Sequence, residues 1–337
     1  MHSRLALLAQ TGAAGLVAAA GLLAAPTVIE KARNEGPETA ASHELFFHRS
    51  SIISPATIDE LRKHRFVVID NAISEDILQA AQADHVQLRN FLRPTGQHGN
   101  TRSDSIAWIA EGDKTLQQSF GLRCALRRLR GLALQLETAS GGSWTGFGDD
   151  HNIDGAGTLG VPPGAQLACY PRAVEGADPV RAATGGARYI PHRDGVERAR
   201  VGLRYALAEP AHCMRECTCI LYLTDEAAGD GQRPPPPLPG ARPTREISEV
   251  GAAAGGALVL HLGADARDTT GLGVHTLVEI LPVGGRLVLF DSRTVLHEVR
   301  PHTRTDVDRV AMTLWLGGPY DTSSLLRFCS TWWWPSR

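Results

Sequence analysis

The chain of 337 residues is short of lysine, with three Lys against 31 Arg. Thirty-four basic and 36 acidic residues leave a formal charge of −2. No basic field is available to follow a phosphate backbone, so nucleic acid is excluded as a partner. So uniform a choice of Arg reflects codon usage rather than anion binding, and each Arg is treated as incidental until a motif claims it. There is no acidic tail and no internal repeat. No Asn-x-Ser/Thr acceptor occurs either, so glycosylation gives no support to secretion. Six Cys, at 124, 169, 213, 217, 219 and 329, are too few for a fold built on disulfides. Cys213, Cys217 and Cys219 stand close together, but no second cluster completes a zinc site.

What is present begins with 25 uncharged residues from Leu5 to Ile29, followed by Glu30, Lys31 and Arg33. The run is long enough to span a bilayer, although Ala and Gly dominate it. Residues 1–29 are read as a targeting or membrane-anchor segment, giving membrane association through residues 5–29. A secretory-pathway or membrane location is favoured over an organelle transit peptide or a disordered extension. Residues 30–50 are polar and form a linker.

Residues 51–140 are expected to be a helical support region. Thr57-Ile-Asp-Glu60 has the form of a capping box that opens a short helix to about His64, and Phe66 to Asp70 follows as an apolar strand. Ser74 caps a second helix, in which Ile77, Leu78, Ala81, Val86 and Leu88 recur at roughly helical spacing. Thr101 to Ile109 reads as a strand and Lys114 to Glu137 as a third helix. Within that helix Leu122 to Leu136 carries four Arg in an amphipathic pattern that suits a core helix better than a membrane surface. The glycine-rich run from Ser140 to Gly164 is expected to be unpacked loop, with Asp149, Asp150, His151 and Asp154 as solvated turn residues.

Beyond Gln166 the texture changes. Short apolar or alternating segments at 166–170, 188–194, 217–224, 257–262, 275–281, 286–291, 295–300 and 309–316 are punctuated by Gly, Pro and Asp. This pattern predicts an all-β core of eight strands over residues 141–320, a double-stranded β-helix or jelly roll, with N-terminal supporting helices and an α+β chain overall. Residues 321–337 are a tail ending in the cluster Trp332-Trp333-Trp334. Arg233 to Pro243 is a proline-rich insertion, read as a stiff surface loop.

In the second of these strands lies Tyr189-Ile-Pro-His192-Arg-Asp194. Residues i and i+2 of a strand share a face, so His192 and Asp194 can reach one point in the interior. With 13 His and 19 Asp, chance alone gives about 0.7 His-x-Asp per chain of this length, so the pair needs company. His297 supplies it, in Leu296-His-Glu-Val-Arg-Pro301, and Arg309 follows on the last strand. Two imidazoles and one carboxylate on one face of a metal are the donor set of non-haem Fe(II) oxygenases. A buried Arg309 would need a carboxylate for its fork, and the distal acid of 2-oxoglutarate is one.

Five stretches carry a resemblance that extends beyond these residues: TRSDSIAWI at 101–109, QLACYP at 166–171, ARYIPHRD at 187–194, TCILYL at 218–223, and LHEVRP with RVAMTLWL at the end. From about Arg65 to Gly318 the chain resembles a prolyl 4-hydroxylase of the Fe(II)/2-oxoglutarate dioxygenase superfamily, nearest to the hypoxia-inducible-factor type. The resemblance implies that His192, Asp194 and His297 hold Fe(II) and that Arg309 anchors the C5 carboxylate of 2-oxoglutarate. It implies that Tyr222 donates its phenol to that carboxylate, and that Tyr170 and Thr313 also lie in the co-substrate pocket. Tyr189 and Trp315 are implied at the substrate side. The co-reactants would be 2-oxoglutarate and O2, with ascorbate as reductant, succinate and CO2 as co-products, and a proline-containing protein or peptide as substrate. The carboxylate of Asp194 argues for hydroxylation, because related halogenases lack it.

The chain departs from the family's pattern in its loops. The turn at 301–308 has two or three extra residues, and the gap from Asp194 to His297 is longer by some forty, placed at 226–249 and 263–273. A further loop at 172–186 stands where a substrate lid is expected. These lie at the rim, where substrate choice is made. The same chemistry on another side chain or a small molecule, and a cupin-like binding protein without turnover, remain as alternatives.

Overall fold

The seven-residue strand Gly164–Tyr170 and the nine-residue strand Arg309–Gly317 explain most of the architecture, because both are buried on two faces. Such strands appear in sequence as continuous apolar runs rather than alternating ones. In the computed structural model, described over residues 51–95, 101–142, 144, 146–147, 159–172, 186–195, 215–224, 255–263 and 276–317, they lie near the middle of a seven-stranded sheet. Residues Ile52–Gly318 form one compact unit.

In chain order the elements are α1 (Pro55–His64), β1 (Phe66–Ile69), α2 (Glu75–Leu88), β2 (Arg93–Pro94), β3 (Ser105–Ala110), α3 (Lys114–Gln117) and α4 (Phe120–Ala139). They continue as β4 (Gly164–Tyr170), β5 (Ala187–His192), β6 (Arg215–Tyr222), β7 (Leu258–Leu262), β8 (Thr276–Ile280), β9 (Leu287–Asp291), β10 (Leu296–His302) and β11 (Arg309–Gly317). The large sheet runs β1-β9-β6-β11-β4-β3-β2 and a four-stranded sheet runs β5-β10-β7-β8. Neighbours pair antiparallel throughout. Each of the eight segments expected as strands beyond residue 166 falls on one of these strands, and β1, β2 and β3 extend the large sheet.

Strand parity divides the large sheet into two faces. Cys217, Cys219 and Leu221 of β6, with Val310, Met312, Leu314 and Leu316 of β11, join one core with Leu122, Leu126, Leu129, Leu132 and Leu136 of α4. The intervening residues Ile220, Tyr222 and Ala311 join a second core with Leu258, Leu260, Val299 and Phe290 between the sheets. The helix thus backs the large sheet, and the site opens on the sheet's other side.

Several local expectations are corrected. The cap of α1 is Ser54, not Thr57: Thr57 is the third helical residue, its hydroxyl bonded back to Ser54 N–H, with Pro55 at the first turn where its missing N–H costs nothing. Ser74 stands at the cap of α2 without a side-chain bond. The third helix is two, α3 and α4, separated at Ser119. The strand expected at 101–109 is regular only from Ser105. The glycine-rich stretch does pack, through Trp144, Phe147 and Leu159, all buried in the helix-side core. The Trp144 indole N–H donates to Glu216 at 3.1 Å, and its ring meets Phe147 edge-on. Arg286 is no incidental Arg: it is 1% exposed and grips Asp70 through two bonds of 2.7 and 3.1 Å.

Among the described residues no helix is long and apolar enough to cross a membrane. The segments 1–29 and 30–50, the proline-rich insertion, the loop acids at 149–154, Cys213, Cys329 and Trp332-Trp333-Trp334 lie outside the described residues, as do most of the three rim loops. Cys217 and Cys219, both buried, are free thiols 4.0 Å apart on the helix side of β6.

Candidate active site

Pairing of β5 with β10 sets His192 directly opposite His297. Their rings come within 4.2 Å, with Tyr189 stacked on His192 at 3.6 Å and Phe290 against His297 at 4.7 Å. Asp194 reaches the same point differently from the expectation of a shared strand face. β5 ends at His192, and Asp194 stands in the bend that follows. There Arg215 donates to its backbone carbonyl at 3.1 Å and the Thr218 hydroxyl to Oδ2 at 2.9 Å. Ser292 lies 2.8 Å beyond Thr218, so a pair of hydroxyls buttresses the carboxylate from β6 and the end of β9.

One ligand atom from each of His192, Asp194 and His297 falls within 4.8 Å of the others, and this is the one such cluster among the described residues. Each imidazole Nδ1 faces a backbone carbonyl, of Ile190 at 2.9 Å and of Val295 at 3.3 Å. A carbonyl only accepts, so both rings donate through Nδ1–H and turn Nε2 inward. Those two Nε2 atoms each lie 3.5 Å from an oxygen of Asp194. Burial pushes the Asp194 carboxyl up, yet attraction to the two imidazoles in their protonated form, with hydrogen bonding, outweighs it and leaves the group well below the usual carboxylate range. Burial, against the pull of Asp194, lowers His297 to about 4 and keeps it neutral. Two imidazole Nε2 atoms and one carboxylate therefore converge on a single point, a donor set that a cation between them would satisfy. Two imidazoles fixed through Nδ1 and one carboxylate fit a divalent iron.

The site opens into a cavity of about 250 Å³, walled by Tyr189, His192, Asp194, His297, Arg309 and Trp315 among others. Parity on β11 turns Arg309, Ala311, Thr313 and Trp315 to the cavity, and on β4 Gln166, Ala168 and Tyr170. Arg309 is 2% exposed. Its Nε–H donates to the Gly256 carbonyl at 2.7 Å and its Nη2 to the Tyr222 hydroxyl at 3.4 Å, and its plane lies 4.6 Å from the Tyr170 ring. No carboxylate among the described residues pairs with it. A buried guanidinium without an acid is costly, and a ligand carboxylate in the cavity would satisfy its remaining donors. Burial raises both the Tyr170 and Tyr222 phenols, so each keeps its proton.

Among residues expected at the site, His192, Asp194, His297, Arg309, Tyr170, Thr313, Tyr189 and Trp315 all line this cavity. Tyr222 does not: it is wholly buried behind Arg309, on which it acts directly. Among the polar and aromatic wall residues, sequence reasoning missed Arg102, Trp108, Gln166 and Arg215. Arg102 grips Asp104 at 2.6 and 2.8 Å, reaches Gln166 at 2.8 Å and lies 4.7 Å over Tyr189. Arg215 lies 4.1 Å over Trp315, whose indole N–H is aimed toward Asp194 without closing a hydrogen bond. Trp108 stands 5.8 Å from Trp315 and is largely exposed. The signal for Arg102 and Trp108 was in hand, since both sit inside the matched stretch TRSDSIAWI.

None of the curated proteins matches the chain. Among solved structures the chain is similar to a prolyl-4-hydroxylase from Pseudomonas putida, at 21% identity over 78% of this chain and 97% of that one, with a TM-score of 0.47. It is similar to a prolyl hydroxylase from Trichoplax adhaerens, solved in complex with a hypoxia inducible factor oxygen degradation domain peptide, at 18% identity over 84% and 94% with a TM-score of 0.46. It is also similar to SnoK, a non-heme alpha ketoglutarate dependent carbocyclase from nogalamycin biosynthesis, at 14% identity over 82% and 92% with a TM-score of 0.46. The family model of the 2OG-Fe(II) oxygenase superfamily matches residues 179–317. That stretch holds His192, Asp194, His297 and Arg309, and over it the resemblance to the 2OG-Fe(II) oxygenase superfamily is borne out.

Proposed function

We propose that the protein is an Fe(II)- and 2-oxoglutarate-dependent oxygenase that hydroxylates a peptidyl proline. One observation carries the reading: a convergent His192, Asp194 and His297 and a buried Arg309, with which no carboxylate among the described residues pairs, face a single cavity. The overall reaction balances as 2-oxoglutarate, O2 and a C–H bond going to succinate, CO2 and an alcohol. Bound iron would supply oxygen activation. The chain's own residues do the rest. His192, Asp194 and His297 would hold the metal. Arg309, oriented by Gly256 and Tyr222, receives the distal carboxylate of 2-oxoglutarate, while Tyr170 and Thr313 bound its pocket. Tyr189, Trp315 and Trp108 offer aromatic surface to the substrate chain, and the apolar wall of Ile220, Leu258 and Val299 limits water around the metal.

The test is succinate formation by purified protein with Fe(II), 2-oxoglutarate and ascorbate, with and without proline-containing peptides. Stimulation by such a peptide, together with a gain of one oxygen on proline, is expected. Turnover that no peptide alters would transfer the reading to a small-molecule acceptor. Turnover unchanged in His192→Ala would end the metal assignment.

A further inference from the structure

The turn at 303–308, between β10 and β11, delivers Arg309 to the cavity. A connection costs chain entropy to close and holds its ends loosely unless it is fastened. This one is fastened twice. On the outside, Asp308 takes the Arg89 guanidinium and, at 2.9 Å, the backbone N–H of Arg172. On the inside, His302 is buried and donates Nε2–H to the Val307 carbonyl at 2.8 Å. Its proton thus sits on the opposite nitrogen from that of the two metal-site imidazoles, and its bare Nδ1 has no hydrogen-bond partner.

That Nδ1 edge lies against Gly256. A Cβ there would come 2.7 Å from His302 Nδ1 and 3.0 Å from Arg309 Cδ, and the backbone has φ +69. Only glycine suits both the conformation and the contact. The Gly256 N–H donates to Pro301 at 3.0 Å, and its carbonyl is the acceptor for Arg309 Nε–H. The His302 ring therefore determines where the Gly256 peptide lies, and that peptide determines how the guanidinium is turned.

We infer that His302, acting through Gly256, is a positioning residue that sets the orientation of the Arg309 fork and with it the affinity for 2-oxoglutarate. The inference rests on the reading of Arg309 as co-substrate anchor. It assigns to this turn a part in co-substrate recognition, beside any part the rim loops have in substrate choice.

The experiment measures 2-oxoglutarate binding by calorimetry on the Fe(II)-loaded protein without oxygen, together with Fe(II) affinity, for wild type, His302→Ala, His302→Gln and Gly256→Ala. His302→Ala and Gly256→Ala should each weaken 2-oxoglutarate by about tenfold, the scale for removing a group that orients a binding residue, with Fe(II) affinity unchanged. KM for 2-oxoglutarate should rise in parallel while kcat holds, a split that simple loss of stability does not produce. His302→Gln, whose amide can still reach the Val307 carbonyl, should recover most of the affinity. Wild-type affinity in folded His302→Ala overturns the inference. If that variant does not fold, wild-type affinity in Gly256→Ala overturns it equally. Failure of the wild type to bind 2-oxoglutarate would overturn the functional reading and this inference with it, whereas wild-type binding with unaffected variants overturns the inference alone.

Discussion

The two sheets bring unlike things to one cavity. The four-stranded sheet contributes His192 and His297, with Asp194 in the bend after β5, so every residue of the candidate metal cluster comes from its strands or their ends. The seven-stranded sheet contributes Arg309, Thr313, Trp315, Tyr170 and, behind them, Tyr222, the groups proposed to meet an organic acid and the substrate. The large sheet has α4 behind it, and its central strands are buried on both faces. The small sheet has no described helix behind it, and its outer face carries ionic side chains such as Glu279 and Arg300, 3.5 Å apart. Cation binding can stiffen the small sheet from inside, whereas the large sheet must be rigid beforehand if a carboxylate is to find its fork in place.

That division separates the effects of mutation. Largest should be His297→Ala, which removes a donor of the small sheet: succinate formation should fall to background and Fe(II) retention on gel filtration should be lost. Next comes Arg309→Lys, which keeps the charge but loses the fork; KM for 2-oxoglutarate should rise about 10- to 100-fold while Fe(II) binding persists. Thr218→Val tests the side-chain strut from the large sheet to the Asp194 carboxylate. It deletes the donor to Asp194 Oδ2, and Fe(II) affinity should drop about tenfold in metal titrations. Leu129→Ala in α4 removes backing alone, so urea denaturation should show a loss of about 2–5 kcal/mol with KM for 2-oxoglutarate unchanged at assay temperature.

The smallest effect concerns pH. His85 and His302 are buried, and burial lowers both below the ordinary imidazole value, with Asp308 opposing and Arg89 or Arg309 reinforcing. Their stabilising contribution is therefore complete above about 6.5, the unfolded value, and is lost as pH falls from there toward the folded values. Metal-free protein should have a lower urea midpoint at pH 5.5 than at 7.5, and His85→Phe should reduce that difference.

Much of this was legible before any coordinates. Eight strands announced themselves because Gly, Pro and Asp punctuate them, and His192, Asp194, His297 and Arg309 because their chemistry is rare in that order. What escaped was held by contacts between distant positions. Arg286 and Asp70 are 216 residues apart, and nothing near either marks the pair. Trp144 and Phe147 are lone aromatics in a glycine-rich run, without the periodicity that signals a packed face. Asp194 was placed at the site by an argument from strand parity, yet arrives there from a bend, because Thr218 and Arg215 hold it.

Strand β11 alternates between Val310, Met312, Leu314 and Leu316 on the helix side and Arg309, Ala311, Thr313 and Trp315 on the cavity side. Consecutive positions therefore answer to separate selective pressures. Change at the even-numbered residues alters how much folded protein a cell holds, and change at the odd-numbered ones alters what each folded molecule does. A lineage seeking a new substrate could explore the odd register with its foldedness intact, which makes this one strand a natural place for the enzyme to diversify.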